Sequence, residues 1–117
     1  MPRWDEAEQA ALSDIFRTMA INIHSNAVEK GFWEGERNDG EMIALVHSEL
    51  SELLEALRDD NPPSVKAEGF SACEEEAADV IIRLLDTAEA RDWDVGGALV
   101  AKMRYNRTRL HKHGRSF

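Results

Sequence analysis

Two acidic pairs share an i, i+3 spacing, Glu49/Glu52 in HSELSELLEALR and Glu76/Asp79 in EEEAADVIIRLLD, and both interrupt apolar runs that read as core-facing helices. An ionised carboxylate on such a face must be paired, hydrogen-bonded or bound to a cation, because desolvating it alone is costly. Four carboxylates on two neighbouring helices offer the hard oxygen ligands that suit Mg²⁺, with Mn²⁺ as a substitute, better than zinc. A di-iron bundle would carry Glu-x-x-His pairs, and the chain has none.

Spacing alone is weak evidence, since 23 acids among 117 residues give roughly three Glu-x-x-acid pairs by chance. Glu36/Asp39, Glu52/Glu55 and Glu89/Asp92 are such pairs. Position on the helix separates them. At about 100° per residue, Glu49 falls inside the arc of Met42, Leu45, Val46, Leu50, Leu53, Ala56 and Leu57, Glu52 lies at its edge and Glu55 points away. On the next helix Cys73, Ala77, Val80, Ile81, Leu84 and Ala88 form the stripe. Glu76 is at its margin, Asp79 lies about 60° further round, and Glu75 and Glu89 face away.

The complement lies near the C-terminus, where Lys102, Asn106 and Arg109 fall within roughly 60° of one another on a helix. They form either a stripe for phosphate oxygens or a solvated basic end that suits the helix macrodipole. Carboxylate-held metal beside cations is the arrangement that binds a polyphosphate and activates water for attack on phosphorus. Asn22 and Asn26, at i, i+4, are placed to read a nucleobase edge or to bond between helices. Phe32 and Trp33 are placed to stack on a base or sugar, or to pack their loop on the helices. His24 and His47 fall off the main apolar faces and receive no role.

Four helices must position these groups. Apolar spacing at Trp4, Leu12, Ile15, Phe16, Met19 and Ile23 predicts a first helix over about residues 4–30, stopping at Gly31. GFWEGERNDG is a loop, and a second helix runs from about Glu41 to Arg58, ended by the Pro62-Pro63 segment. Ser71-x-x-Glu74 fits a capping box that starts a third helix over about Ala72 to Arg91. A fourth, from Asp92 or Asp94, reaches about Leu110, with Gly96-Gly97 weakening its start. No alternating strand pattern occurs, so the expected fold is an all-α four-helix bundle in one domain spanning residues 1–117. Ala78, Ile82 and Leu85 widen the third stripe beyond what one core needs and favour a subunit interface over a fuller intrachain core.

Hydrophobic content of 43% fits one small core. No apolar run approaches the roughly 20 residues of a membrane span, and the N-terminus lacks a signal-peptide core, so a cytoplasmic location is expected. Cys73 is alone, which excludes an internal disulfide and a multi-cysteine zinc site and predicts a core thiol. The net charge of −9 argues against a general nucleic-acid binder, although no acid follows Asp94 and Lys102, Arg104, Arg107, Arg109, Lys112 and Arg115 make that end basic.

With these residues in view, the chain resembles the MazG-like nucleoside triphosphate pyrophosphohydrolases of the all-α NTP pyrophosphatase superfamily. The resemblance covers nearly the whole chain in four ordered blocks: KGFWE, HSELSELLEALR, EEEAADVIIRLL and KMRYNRTRLHKHGRSF. It implies hydrolysis of an NTP or dNTP between the α and β phosphates with Mg²⁺, in dimers or tetramers whose sites form between packed helices. Carried over by position, Glu49, Glu52, Glu76 and Asp79 would hold metal, with one of them directing the water. Lys102 and Asn106 would contact phosphates, and Arg109 would either join them or fix the tail. The base is left open, because related families cleave dUTP, dCTP-like nucleotides or phosphoribosyl-ATP. Two other classes stay in view: a non-catalytic helical adaptor with an acidic edge and basic tail, and a nucleic-acid binder acting through that tail.

Overall fold

The computed structural model describes residues 5–108 and contains α1 (Glu6–Glu29), α2 (Asp39–Arg58), α3 (Ala72–Ala90) and α4 (Val95–Arg107). Among these residues the only extended pairing is an isolated bridge between Pro63 and Ser71, so the fold is all-α with four helices. No helix of the described residues is long and apolar enough to cross a membrane. Trp4 and Arg109, with the residues beyond it, lie outside the described residues.

Each helix starts where a side chain satisfies its free N–H groups. Asp5 and Glu8 form a capping box on α1, a feature the apolar spacing does not reveal. Asn38 caps α2 by accepting the Glu41 N–H at 2.8 Å, which begins that helix at Asp39, two residues before the expected start at Glu41. The expected Ser71/Glu74 box caps α3, and Asp94 caps α4. Gly31, at φ +86°, supplies the left-handed turn that carries the chain out of α1. At the end of α2 the left-handed residues are Asp60 and Asn61, ahead of the two prolines.

α3 is the hub, packed on α2 along one flank and α1 along another, while α4 packs chiefly on α1. The buried apolar residues are Ala20, Met42, Ala56, Leu85, Ala88 and Val100. Leu85, expected at a subunit interface, is 3% exposed and belongs to this internal core, whereas Ala78 and Ile82 are exposed. The open order α2–α3–α1–α4 covers only part of each stripe, so Ile15, Met19, Leu50, Leu57, Ile81 and Leu84, all read as core, stay exposed on the single chain. Cys73 is half-buried in the first turn of α3, short of the core position expected of it.

Gly96 does more than weaken α4. It is buried at the crossing with α1, where an added Cβ would lie 2.7 Å from the Phe16 Cβ and 2.9 Å from the Ser13 carbonyl oxygen. The absent side chain sets the α1–α4 distance.

Candidate functional site

A cavity of about 740 Å³ opens between α1, α2, α3 and the segment joining α2 to α3. α2 contributes Glu49 and Glu52, and α3 contributes Glu75, Glu76, Asp79, Arg83 and Asp86. The spacing along α3 explains this: residues 76, 79, 83 and 86 recur every three or four positions and fall on one helical face.

One oxygen each from Glu49, Glu76 and Asp79 lies within 4.8 Å of the others, and all three residues are half-buried. An octahedral Mg²⁺ holds opposite ligands about 4.2 Å apart, so small side-chain adjustments would let one ion touch all three. The donors are all carboxylate oxygens, which fits Mg²⁺ or Mn²⁺. Glu52 lines the cavity but stands outside this triad, so the expected set of four resolves into three clustered acids and one neighbour.

The electrostatics agree with a site short of positive charge. Desolvation raises the Asp79 pKa, and the negative charges of Glu49 and Glu75 add to it, while Lys66 and Arg83 pull the other way. Glu76 is raised by desolvation and by Asp79, Glu75, Glu52 and Glu49. Arg83 Nε donates to Glu49 Oε1 at 2.6 Å, so this guanidinium orients one carboxylate of the cluster. Glu75, expected to face away, borders the cavity and accepts from Ser64 Oγ at 2.5 Å. The connection before α3 folds back over its first turns, which the helical pattern alone does not indicate.

Asn22 and Asn26 line the opposite wall, on α1, where Asn22 Nδ2 donates to the Thr18 carbonyl at 2.8 Å. Of the aromatic pair, Phe32 reaches the cavity and Trp33 sits behind it. Trp33 Nε1 donates to both Asp86 oxygens at 3.0 Å, and its ring meets His24 edge-on at 5.1 Å. His24, given no role by its helical position, lies with Nδ1 2.7 Å from Asp86 Oδ1. Asp86 therefore ties α1 and the 31–38 loop to α3. Arg37 stacks over Trp33 at 5.4 Å and also borders the cavity.

The cationic stripe behaves differently. Lys102 and Asn106 are exposed on α4 and do not line this cavity; Lys102 Nζ lies 5.0 Å from the Tyr105 ring centroid. Arg109, the third member, lies outside the described residues. Among the described residues the cations that line the cavity are Arg37, Lys66 and Arg83. The chain has no significant match among family models, curated proteins or solved structures.

Proposed function

We propose that this chain is a Mg²⁺-dependent nucleoside triphosphate pyrophosphohydrolase of the MazG-like type, cleaving an NTP or dNTP between the α and β phosphates to release the monophosphate and pyrophosphate. The observation that carries the reading is the Glu49, Glu76 and Asp79 triad, its latter two carboxylates raised in pKa, inside a cavity bordered by cations and amides. Glu49, Glu76 and Asp79 would hold the ion, which would supply polarisation of phosphate oxygens and a more acidic bound water. Glu52, beside the triad, fits the task of orienting the attacking water. Asn22, Asn26 and Phe32 supply amides and an aromatic face for the base. The proposed setting is the cytoplasmic nucleotide pool, where the enzyme removes unwanted nucleotides.

The reading includes a second copy of the chain. Exposed Leu99, Met103 and Tyr105 share α4 with Lys102, Arg104 and Arg107, a surface both apolar and basic. Opposite charge and the uncovered apolar flanks favour α4 of one copy approaching the acidic cavity of another, which would bring Lys102 and Asn106 to the phosphates. The exposed apolar surface is also what a helical adaptor would display.

The test is release of pyrophosphate and monophosphate from a panel of NTPs and dNTPs, including dUTP and oxidised or methylated bases, with Mg²⁺ and with EDTA. Equal amounts of both products, formed only with metal, support hydrolysis at the α phosphate. Absence of turnover together with absence of metal binding favours the adaptor.

A further inference from the structure

Among the described residues three cations border the cavity, and they differ in what already holds them. Arg83 is bonded to Glu49, and Arg37 lies over the Trp33 ring. Lys66 makes no hydrogen bond or ion pair among the described residues, and it lines the same cavity as Asp79. It sits on the connection between α2 and α3, which is exposed but firmly tied.

Those ties are backbone and side-chain bonds at both ends of the segment. The Pro62 carbonyl accepts the Ala72 N–H at 2.7 Å, and Asn61 Oδ1 accepts the Cys73 N–H at 2.8 Å. Ser64 N–H donates to the Phe70 carbonyl at 2.8 Å, closing the loop across Lys66. Ser64 Oγ accepts the Ala67 N–H at 2.8 Å and donates to Glu75, an acid of the cavity wall. The backbone on either side of Lys66 is thereby fixed relative to α3, while its flexible stem leaves the ammonium free to meet a ligand.

We infer that Lys66 is a phosphate-binding residue of this cavity, donating to a polyphosphate whose other oxygens face the ion held by Glu49, Glu76 and Asp79. The inference rests on the metal and nucleotide reading above and adds to it a cation from the chain's own α2–α3 connection, separate from those on α4. An ammonium held across from a metal lets a flexible polyphosphate be gripped at two points.

The experiment titrates inorganic tripolyphosphate in Mg²⁺ into the full chain and its Lys66→Met and Lys66→Arg variants by calorimetry, with Mg²⁺ alone as a separate titration. Lys66→Met is expected to keep the melting temperature and Mg²⁺ affinity while weakening tripolyphosphate by roughly tenfold or more, with a shallower salt dependence. Lys66→Arg should retain most of the affinity, since charge is what the site uses. Unchanged tripolyphosphate affinity in Lys66→Met, with binding by the wild type, overturns the role of Lys66 alone. Failure of the wild type to bind tripolyphosphate overturns the underlying site reading as well.

Discussion

Towards its N-terminus α3 presents Glu75, Glu76 and Asp79 to a cavity, whereas its C-terminal turns bury Leu85, Thr87 and Ala88, with Arg83 and Asp86 continuing the cavity face alongside them. The two ends have the same backbone and begin from equivalent helical geometry. Their neighbours differ. At the C-terminal end Thr87 Oγ1 donates to Met42 Sδ at 3.7 Å, and Ala88 is 1% exposed near the α1–α4 crossing. At the N-terminal end three acids from two helices crowd together with one guanidinium among them. The chain keeps like charges close at one end because packing at the other holds the helices in place. Stability and the proposed chemistry are thus separated along one helix, and substitutions at its two ends should be separable in their effects.

The largest separation is expected from Asp79→Asn. Turnover should fall by about two to three orders of magnitude, while the melting temperature of the metal-free protein stays level or rises, because a repelling charge is removed. A large drop in melting temperature would make Asp79 a structural residue and erase the contrast. Leu85→Ala should do the opposite, destabilising the fold by about 2–5 kcal/mol in denaturant titrations. Its remaining folded molecules should bind Mg²⁺ with wild-type affinity.

Gly96→Ala sharpens the core side of the comparison, since its new methyl would meet the Ser13 carbonyl and Phe16. The expected cost is about 1–3 kcal/mol by thermal or chemical unfolding. A neutral result would mean that α4 can move off α1 freely.

The smallest effect is a pH dependence of the metal-free protein. The folded-state pKa values of Glu76 and Asp79 are raised from their ordinary values, so the folded chain holds their protons longer than the unfolded chain does. Their contribution to stability is present below those ordinary values and is lost as pH rises through the raised values. Glu74 acts in the opposite sense, because its Ser71 hydrogen bonds lower its pKa and that contribution is lost as pH falls. The difference in melting temperature between wild type and Glu76→Gln, followed upward from acid pH, isolates the Glu76 part. The variant should gain on the wild type as pH rises, and added Mg²⁺ should remove that advantage by stabilising the wild type.

Much of this division was readable from the residues. The four helices follow from apolar spacing and from the Ser71/Glu74 box, and Glu49, Glu76 and Asp79 stand out because they fall in i, i+3 acidic pairs within apolar runs. Arg83 and Asp86 were legible in principle, being four and seven positions after Asp79 on the same face. Lys66 was not, because an irregular connection has no period, and Glu75 reads as facing away on α3 because its place beside the cavity comes from that connection folding back to bond it through Ser64. His24 lies off the apolar stripe, so periodicity does not mark it, and its partner Asp86 comes from another helix. Core placement was partly misread for a similar reason: periodicity identifies an apolar face but not whether one chain covers it, as Leu57 and Ile81 demonstrate.

The most direct test of the central claim is calorimetric titration of Mn²⁺ into the metal-free wild type and into Asp79→Asn, with and without a non-hydrolysable α,β-bridged nucleoside triphosphate. The account predicts a saturable site in the wild type that tightens with the triphosphate and is lost in Asp79→Asn, with both proteins equally folded. Absence of Mn²⁺ binding by the wild type, or equal binding by both, would contradict it.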